Sequence, residues 1–151
     1  MSRYIVIYDG QCNLCSNLVQ RLEARDQGQT FQYLPMQDHV GLQFYGIEPQ
    51  DCEGGMILID EQDRAHHWQG SAAAEEIARL EEEVRPWVAI YRRMPGFKWL
   101  GDRLYEQIRD HRYTLFGRRS QLYQSSYPAK LDGIVEPVSK DADTCKTNCK
   151  L

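Results

Sequence analysis

The sequence predicts an α/β domain built on a mixed four-stranded sheet. Strand-like runs alternate with helix-like runs, the 151-residue length suits one domain, and 42% of the residues are hydrophobic. Strands joined through helices favour parallel pairing early in the chain, and a short late connection favours an antiparallel hairpin. We therefore expect one sheet flanked by helices.

The first half of the chain alternates strand and helix. β-branched and aromatic side chains favour an extended first strand, which ends at the turn-forming pair Asp9 and Gly10. Leu14, Leu18 and Leu22 recur every four positions, which predicts an amphipathic helix. The strand, helix, strand and short helix of this half are predicted at residues 3–8, 12–25, 31–35 and 37–46.

The second half adds two strands and three helices. The continuous apolar run MILID predicts a central strand buried on both faces, and Ser71 suits the N-cap of the next helix. Apolar periodicity is lost beyond Gly117. We therefore expect a single domain over residues 1–119 with extra C-terminal helices, followed by a polar, flexible tail over residues 120–151. The elements of this half are predicted at residues 56–60, 64–68, 71–83, 87–94 and 97–110.

Charge and hydropathy limit the classes of partner. The chain has 18 Lys and Arg against 22 Asp and Glu, a balance opposite to that of proteins that coat nucleic-acid phosphates. No apolar run approaches the roughly 20 residues that span a bilayer, and the first residues do not form a secretory signal. We expect a cytoplasmic protein with no nucleic-acid partner and no membrane association.

Five cysteines carry the functional signal. Cys12 and Cys15 form a C-x-x-C pair at the predicted start of the first helix. Cys52 stands alone in a loop, where a cysteine is more often incidental than a second resolving thiol. Cys145 and Cys149 are expected to be exposed thiols of the tail. In a reducing compartment, paired cysteines are more often redox-active or metal-binding than structural.

The C-x-x-C pair suits thiol–disulfide exchange. Its spacing places both sulfurs on one side of the first helical turn, and a helix N-terminus stabilises a thiolate. We expect Cys12 to be exposed and to attack a substrate disulfide, and Cys15 to be shielded and to act as the resolving thiol. The predicted activity is that of a protein-disulfide reductase that needs an external thiol electron donor but no cofactor or metal.

Two alternatives use the same pair. A zinc site often has the same cysteine spacing, but it needs two further ligands. The candidates for these ligands are badly placed, because Cys145 and Cys149 lie in the tail. The adjacent His66 and His67 would point to opposite sides of a strand. A redox-sensing adaptor would form the disulfide without catalysis. The alternative function is therefore a metal-binding or redox-sensing interaction module.

The segment YDGQCNLCS resembles the signature of the DCC family of thiol-disulfide oxidoreductases, named for an Asp and two Cys. The resemblance covers roughly residues 3–119 and implies a thioredoxin-like fold. It also implies dithiol/disulfide activity on a protein or small-molecule disulfide, without naming the substrate. The matching positions are Asp9, Cys12 and Cys15, and the resemblance continues at residues 95–105 and 111–117.

Asp9 has two interpretations. It would accept the proton of Cys15 during resolution, a role that the resemblance favours. Alternatively, its carboxylate would only hydrogen-bond free N–H groups of the turn formed by residues 10–12.

The substrate groove departs from that of thioredoxins. Gln11 replaces the tryptophan before the first cysteine, and Gly54 and Gly55 stand where a cis-proline normally shapes the groove. Two glycines would allow a peptide backbone to approach closely. The residues expected to contact substrate are Gly10, Gln11, Asn13, Leu14, Gly54 and Gly55.

The aromatic-rich segment 87–108 is expected to form core that seals one side of the sheet. A part left exposed would dock a partner or a membrane surface. Its arginines are expected on a solvated face, since no stacking motif accompanies them.

Overall fold

The computed structural model describes residues 3–131, and in that range it contains four β-strands and five α-helices. The strands are β1 (Tyr4–Tyr8), β2 (Phe31–Pro35), β3 (Ile57–Asp60) and β4 (His67–Gln69). The helices are α1 (Asn13–Asp26), α2 (His39–Phe44), α3 (Ser71–Leu80), α4 (Arg85–Arg93) and α5 (Phe97–Phe116). A short 3₁₀ helix at Asp51–Gly54 precedes β3.

The strands form one mixed sheet in the order β2-β1-β3-β4. β1 pairs with β2 in parallel and with β3 in antiparallel orientation, and β3 and β4 form an antiparallel hairpin. The parallel pair is joined through α1, as the alternation of periodicities predicts. The α/β class and the mixed four-stranded sheet are confirmed, and the architecture is thioredoxin-like.

β1 contributes to both faces of the sheet, because successive side chains of a strand point in opposite directions. Tyr4, Val6 and Tyr8 pack on one face with residues of α1 and α3. Ile5 and Ile7 pack on the other face with residues of α2. Every residue of β1 is buried, and β1 is paired on both sides in the sheet. The loop that follows β1 therefore begins at a well-packed interior strand.

Several element boundaries differ from the predicted ones. Helix α3 begins after Gly70, whose φ of 62° suits glycine, and Ser71 is its first residue rather than its N-cap. The helix ends at Leu80, because the glutamates at 81–83 would oppose the helix dipole. Helix α5 continues past the predicted end at residue 110 to Phe116. Strand β4 occupies His67–Gln69 instead of residues 64–68.

Helices α4 and α5 do not form the expected core layer, since neither contains a buried residue. The indole side chains of Trp87 and Trp99 are 70% and 67% exposed. Apolar spacing on a helix reports an amphipathic face but not whether anything covers it. Within residues 3–131, no helix combines the length and apolarity required to cross a bilayer.

Residues 120–131, which the sequence places in a tail, pack on the fold, and residues 127–130 of this segment lie along the edge strand β2. Tyr33 donates its backbone N–H to Tyr127 (3.0 Å) and accepts one from Ala129 (2.9 Å). Tyr123 packs against the face of the sheet formed by β1, α1 and α3. These contacts consist of one isolated β-bridge and the packing of single aromatic side chains. They therefore leave no periodic pattern in the sequence. Residues 132–151, with Cys145 and Cys149, lie outside the described residues.

Candidate dithiol site

The C-x-x-C pair lies where β1 gives way to α1. Cys12 is the N-cap residue of α1, with extended backbone, and Cys15 lies within its first turn. The Cys12 N–H is donated to the Asp9 carbonyl (3.2 Å), and the Ser16 N–H is donated to the Cys12 carbonyl (3.0 Å). These bonds close a tight turn, so both sulfurs are fixed at the N-terminal end of the helix.

Cys12 and Cys15 are both free thiols, and their side chains are hydrogen-bonded to each other. Burial and the neighbouring Cys12 raise the pKa of Cys15 to about 12. The Arg112 guanidinium acts in the opposite direction on this pKa, and Asp9 raises it further. Cys15 is therefore a protonated thiol at neutral pH.

The exposure of the two cysteines is the reverse of the prediction. Cys12, expected to be exposed, is completely buried (0%), whereas Cys15 is partly exposed. The reason is a segment after α5, residues 117–119, which forms an antiparallel bridge between Arg118 and Cys12. We call residues 117–119 the strap. Sequence periodicity does not reveal it, because a single bridge is too short to carry a strand pattern.

Backbone hydrogen bonds hold the strap on both sides of Cys12. The Arg119 N–H is donated to the Gln11 carbonyl (2.8 Å), and the Asn13 N–H is donated to the Gly117 carbonyl (3.4 Å). The Asn13 side-chain amide also donates to the Phe116 carbonyl (2.8 Å). The end of α5 is thereby attached to the start of α1.

Asp9 is 1% exposed and is bound from three directions. Its carboxylate accepts hydrogen bonds from the Gln11 N–H (3.0 Å), the Gln37 side-chain amide (2.8 Å) and the Tyr113 hydroxyl. The Arg112 guanidinium forms an ion pair with it at 3.3 Å. The Gln11 bond is the turn contact expected from the sequence. The contacts to α5 were not predicted, and neither thiol is among the partners of the carboxylate.

Arg112 and Tyr113 are the site residues that sequence reasoning missed. Both lie in the segment 111–117, which carried the family resemblance, but a linear motif does not show which of its residues reach a distant loop. Burial and the hydrogen bond to Asp9 raise the pKa of Tyr113, so its hydroxyl remains a donor. Arg118 lies over the Tyr113 ring, 4.2 Å from its centroid. One Arg112 donor, Nε, is buried without a hydrogen-bond partner.

The three glycines expected to contact substrate are covered by the chain itself. A Cβ on Gly10 would lie 2.6 Å from Leu122, and one on Gly55 would lie 2.5 Å from the Tyr105 hydroxyl. A Cβ on Gly54 would meet the Gln69 amide. The close backbone approach that these glycines permit is therefore used by this chain's own side chains.

The other expected contact residues lie at the surface. Gln11 is exposed, and Asn13 and Leu14 are half-buried beside the partly exposed Cys15. The accessible part of the site is thus the first turn of α1. The glycine pair before β3 does not contribute to it.

Cys52 lies on the other side of the sheet from the α1 and α3 layer. It is buried in the cluster formed by Ile5, Ile7 and Leu42, and burial raises its pKa. Its thiol faces the Glu48 carbonyl at 4.0 Å. Cys52 is a core residue in the described fold.

Among residues 3–131, no three His, Cys, Asp or Glu side chains are grouped to hold an ion. His66 instead packs its ring against Trp68, with centroids 4.4 Å apart.

Together, the sheet order and the hydrogen-bonded thiols at a helix N-terminus define a thioredoxin-like dithiol protein. The DCC1-like thiol-disulfide oxidoreductase family model matches residues 6–118, and the chain belongs to that family. The resemblance stated from the sequence is confirmed.

A DCC family protein of Arabidopsis thaliana, named as chloroplastic, is 27% identical over 119 residues. The match covers 77% of this chain and 66% of that protein, just under two thirds of its length. No solved structure matches the chain significantly.

Proposed function

We propose that this protein is a thiol–disulfide oxidoreductase that uses Cys12 and Cys15 to reduce a disulfide in a protein or small molecule. The observation that carries the proposal is the hydrogen-bonded pair of free thiols at the N-terminus of α1. Membership of the DCC1-like family supports the same chemistry.

Cys12 is the proposed nucleophile, because Cys15, with a pKa near 12, supplies little thiolate at neutral pH. The Cys12 thiolate attacks one sulfur of the substrate disulfide. The substrate S–S bond breaks, a Cys12–substrate disulfide forms, and the leaving thiolate takes a proton from water. Attack must be preceded by separation of the strap from residues 11–13, since Cys12 is completely buried beneath it.

Cys15 completes the reaction as the resolving thiol. Its proton passes to water, and the Cys15 thiolate attacks the Cys12 sulfur. This attack breaks the mixed disulfide, forms a Cys12–Cys15 disulfide and releases the second substrate thiolate, which takes up a proton. Two electrons have then passed from the protein to the substrate. An external dithiol of the reducing compartment, expected to be the cytoplasm, restores both thiols.

Asp9 and Arg112 act on the resolving step in this proposal. The positive charge of Arg112 favours the Cys15 thiolate, and the ion pair with Asp9 fixes the guanidinium beside the pair. The proton-acceptor role expected for Asp9 would require a contact with Cys15. The hydrogen bonds of the carboxylate go to Gln11, Gln37 and Tyr113 instead, which favours Asp9 as a positioning residue.

Trapping with Cys15→Ser tests the proposal, because a Cys12–substrate disulfide that cannot be resolved accumulates. We expect adducts with a model disulfide in Cys15→Ser, and none in the double variant that also carries Cys12→Ser. Cys52→Ser is the matched control and should leave trapping unchanged. A Cys12 that stays unreactive near neutral pH would refute the catalytic role. Stoichiometric zinc in the purified protein that is lost in Cys12→Ser would show instead that the cysteine pair belongs to a metal-binding module.

A further inference from the structure

The charges of the chain are divided between two regions. Residues 1–83 contain five Lys and Arg against fifteen Asp and Glu, whereas residues 84–119 contain nine against three. A basic helical region in an acidic protein indicates a surface for anions rather than general solubility.

The same region has an uncovered apolar face on α4. Trp87, Ile90 and Met94 are three and four residues apart and share one face of the helix. All three are about half exposed or more, and no residue of α4 is buried. This face of α4 is therefore left uncovered within residues 3–131, although another side of the helix packs against α3 and α5.

The apolar face continues around the turn at Pro95 and Gly96 into α5. Phe97, Trp99 and Leu100 follow the turn at once, and all are exposed. We call the exposed apolar residues of this turn and of the two helices the hairpin surface. Its members are Trp87, Ile90, Met94, Phe97, Trp99, Leu100 and Leu104.

The hairpin is held as a unit. The Tyr91 hydroxyl of α4 donates to the Lys98 carbonyl of α5 (3.3 Å), and Arg92 and Lys98 pair with Glu75 of α3. Arg85 and Arg93 are exposed and have no acidic partner within residues 3–131. Two unpaired cations thus accompany the hairpin surface, one at each end of α4.

We propose that the hairpin surface binds the surface of an anionic lipid bilayer. Indole and phenyl rings partition into the headgroup region, and arginines beside them bind lipid phosphates. From the sequence, no membrane association is expected for the chain as a whole, and only an exposed part of segment 87–108 would dock a partner or a membrane surface.

Vesicle co-sedimentation of the full, reduced chain tests this inference. We expect binding to phosphatidylcholine vesicles that contain about 30% phosphatidylglycerol, and little binding to phosphatidylcholine alone. Binding should weaken in about 0.5 M salt, which screens the arginines. The tryptophan fluorescence of the protein should shift to shorter wavelength as the indoles of Trp87 and Trp99 leave water.

Exposed-site variants identify the surface responsible. The double variant Phe97→Ser, Trp99→Ser should lower binding at least about tenfold, and Arg85→Gln with Arg93→Gln should remove the preference for anionic vesicles. Val40→Ser, at a 58% exposed position on α2, is the matched control and should bind like the parent.

Other outcomes overturn the proposal. Equal binding to both vesicle types, or none to either, would refute an anionic bilayer as the occupant. Concentration-dependent dimers that the Phe97 and Trp99 changes abolish, without vesicle binding, would assign the surface to a second copy. Disulfide exchange in solution does not depend on the hairpin surface. None of these binding results would therefore contradict the proposed thiol–disulfide exchange by Cys12 and Cys15.

Discussion

The carboxylate of Asp9 and the guanidinium of Arg112 form an ion pair at 3.3 Å, with the two side chains 1% and 15% exposed. The pair joins the loop after β1 to helix α5, two segments that lie more than a hundred positions apart in the chain. It therefore fixes the closing segment of the family motif against the C-x-x-C turn.

Asp9→Asn should destabilise the protein. The amide keeps the size of the side chain but leaves the Arg112 charge without its counter-ion, which costs about 3 kcal/mol for a buried pair. Urea unfolding followed by circular dichroism measures the change. Asp110→Asn, which breaks the exposed Arg109 pair, is the control and should cost less than about 0.5 kcal/mol. Equal losses in the two variants would show that burial of the Asp9 pair has no energetic consequence.

The resolving step should accelerate as pH rises. Burial is the largest cause of the raised pKa of Cys15, and below the pKa of a thiol its thiolate fraction grows about tenfold per pH unit. Decay of a preformed Cys12 mixed disulfide between pH 7 and 10 measures the rate. Arg112→Gln should slow decay at every pH in this range, because the guanidinium lowers the pKa of Cys15.

Arg103→Gln is the control for that experiment, since Arg103 is an exposed arginine of the same helix whose one ion pair within residues 3–131 is with Glu106. It should not alter the profile. A decay rate that is independent of pH would contradict Cys15 as a resolving thiol with a raised pKa.

Gly117→Ala should open access to Cys12. Gly117 has a φ of 77°, and a Cβ there would lie 3.3 Å from the Asn13 amide, so alanine strains the strap by about 1 kcal/mol. That strain should raise the rate of Cys12 alkylation about fivefold, measured by mass spectrometry. Gly46→Ala is a close control, because its φ is 69° and, among the described residues other than its two chain neighbours, no atom would lie within 4 Å of the added Cβ. Gly46→Ala should lower the free energy of unfolding by a similar amount without changing the rate of Cys12 alkylation. A faster alkylation in both variants would show that general destabilisation, and not a change in the strap, exposes Cys12.

Gly55→Ala should be more costly than Gly117→Ala. Its φ is 106°, and the new methyl would overlap the Tyr105 hydroxyl, which together cost about 2 kcal/mol or more. In the Tyr105→Phe background, which lacks that hydroxyl, Gly55→Ala should cost about 1 kcal/mol less unfolding free energy than in the parent. A double-mutant cycle measures this difference. Additive effects in the cycle would contradict the contact between the two positions.

Local periodicity predicts most of the elements of this fold. β2 occupies the predicted residues, and the Cys12–Cys15 spacing correctly places two thiols on one helical turn. Apart from several element boundaries and the expected burial of segment 87–108, the errors concern contacts between distant segments. The cover over Cys12, the Asp9–Arg112 pair and the docking of residues 120–131 each depend on a few bonds across the fold. None of these leaves a repeating pattern in the sequence, so only the three-dimensional arrangement reveals them.

The strap has a consequence for the chemical lifetime of the nucleophile. A freely accessible thiolate is exposed to peroxide, which drives cysteine through sulfenic acid to irreversible sulfinic and sulfonic acids. With Arg118 bridged to Cys12, the thiol meets solvent only while residues 117–119 are displaced. A substrate whose backbone replaces the strap on Gln11 and Asn13 would hold that open state, whereas a small oxidant would not. In the proposed mechanism, the closed fold would therefore protect the Cys12 thiol from overoxidation between encounters with substrate.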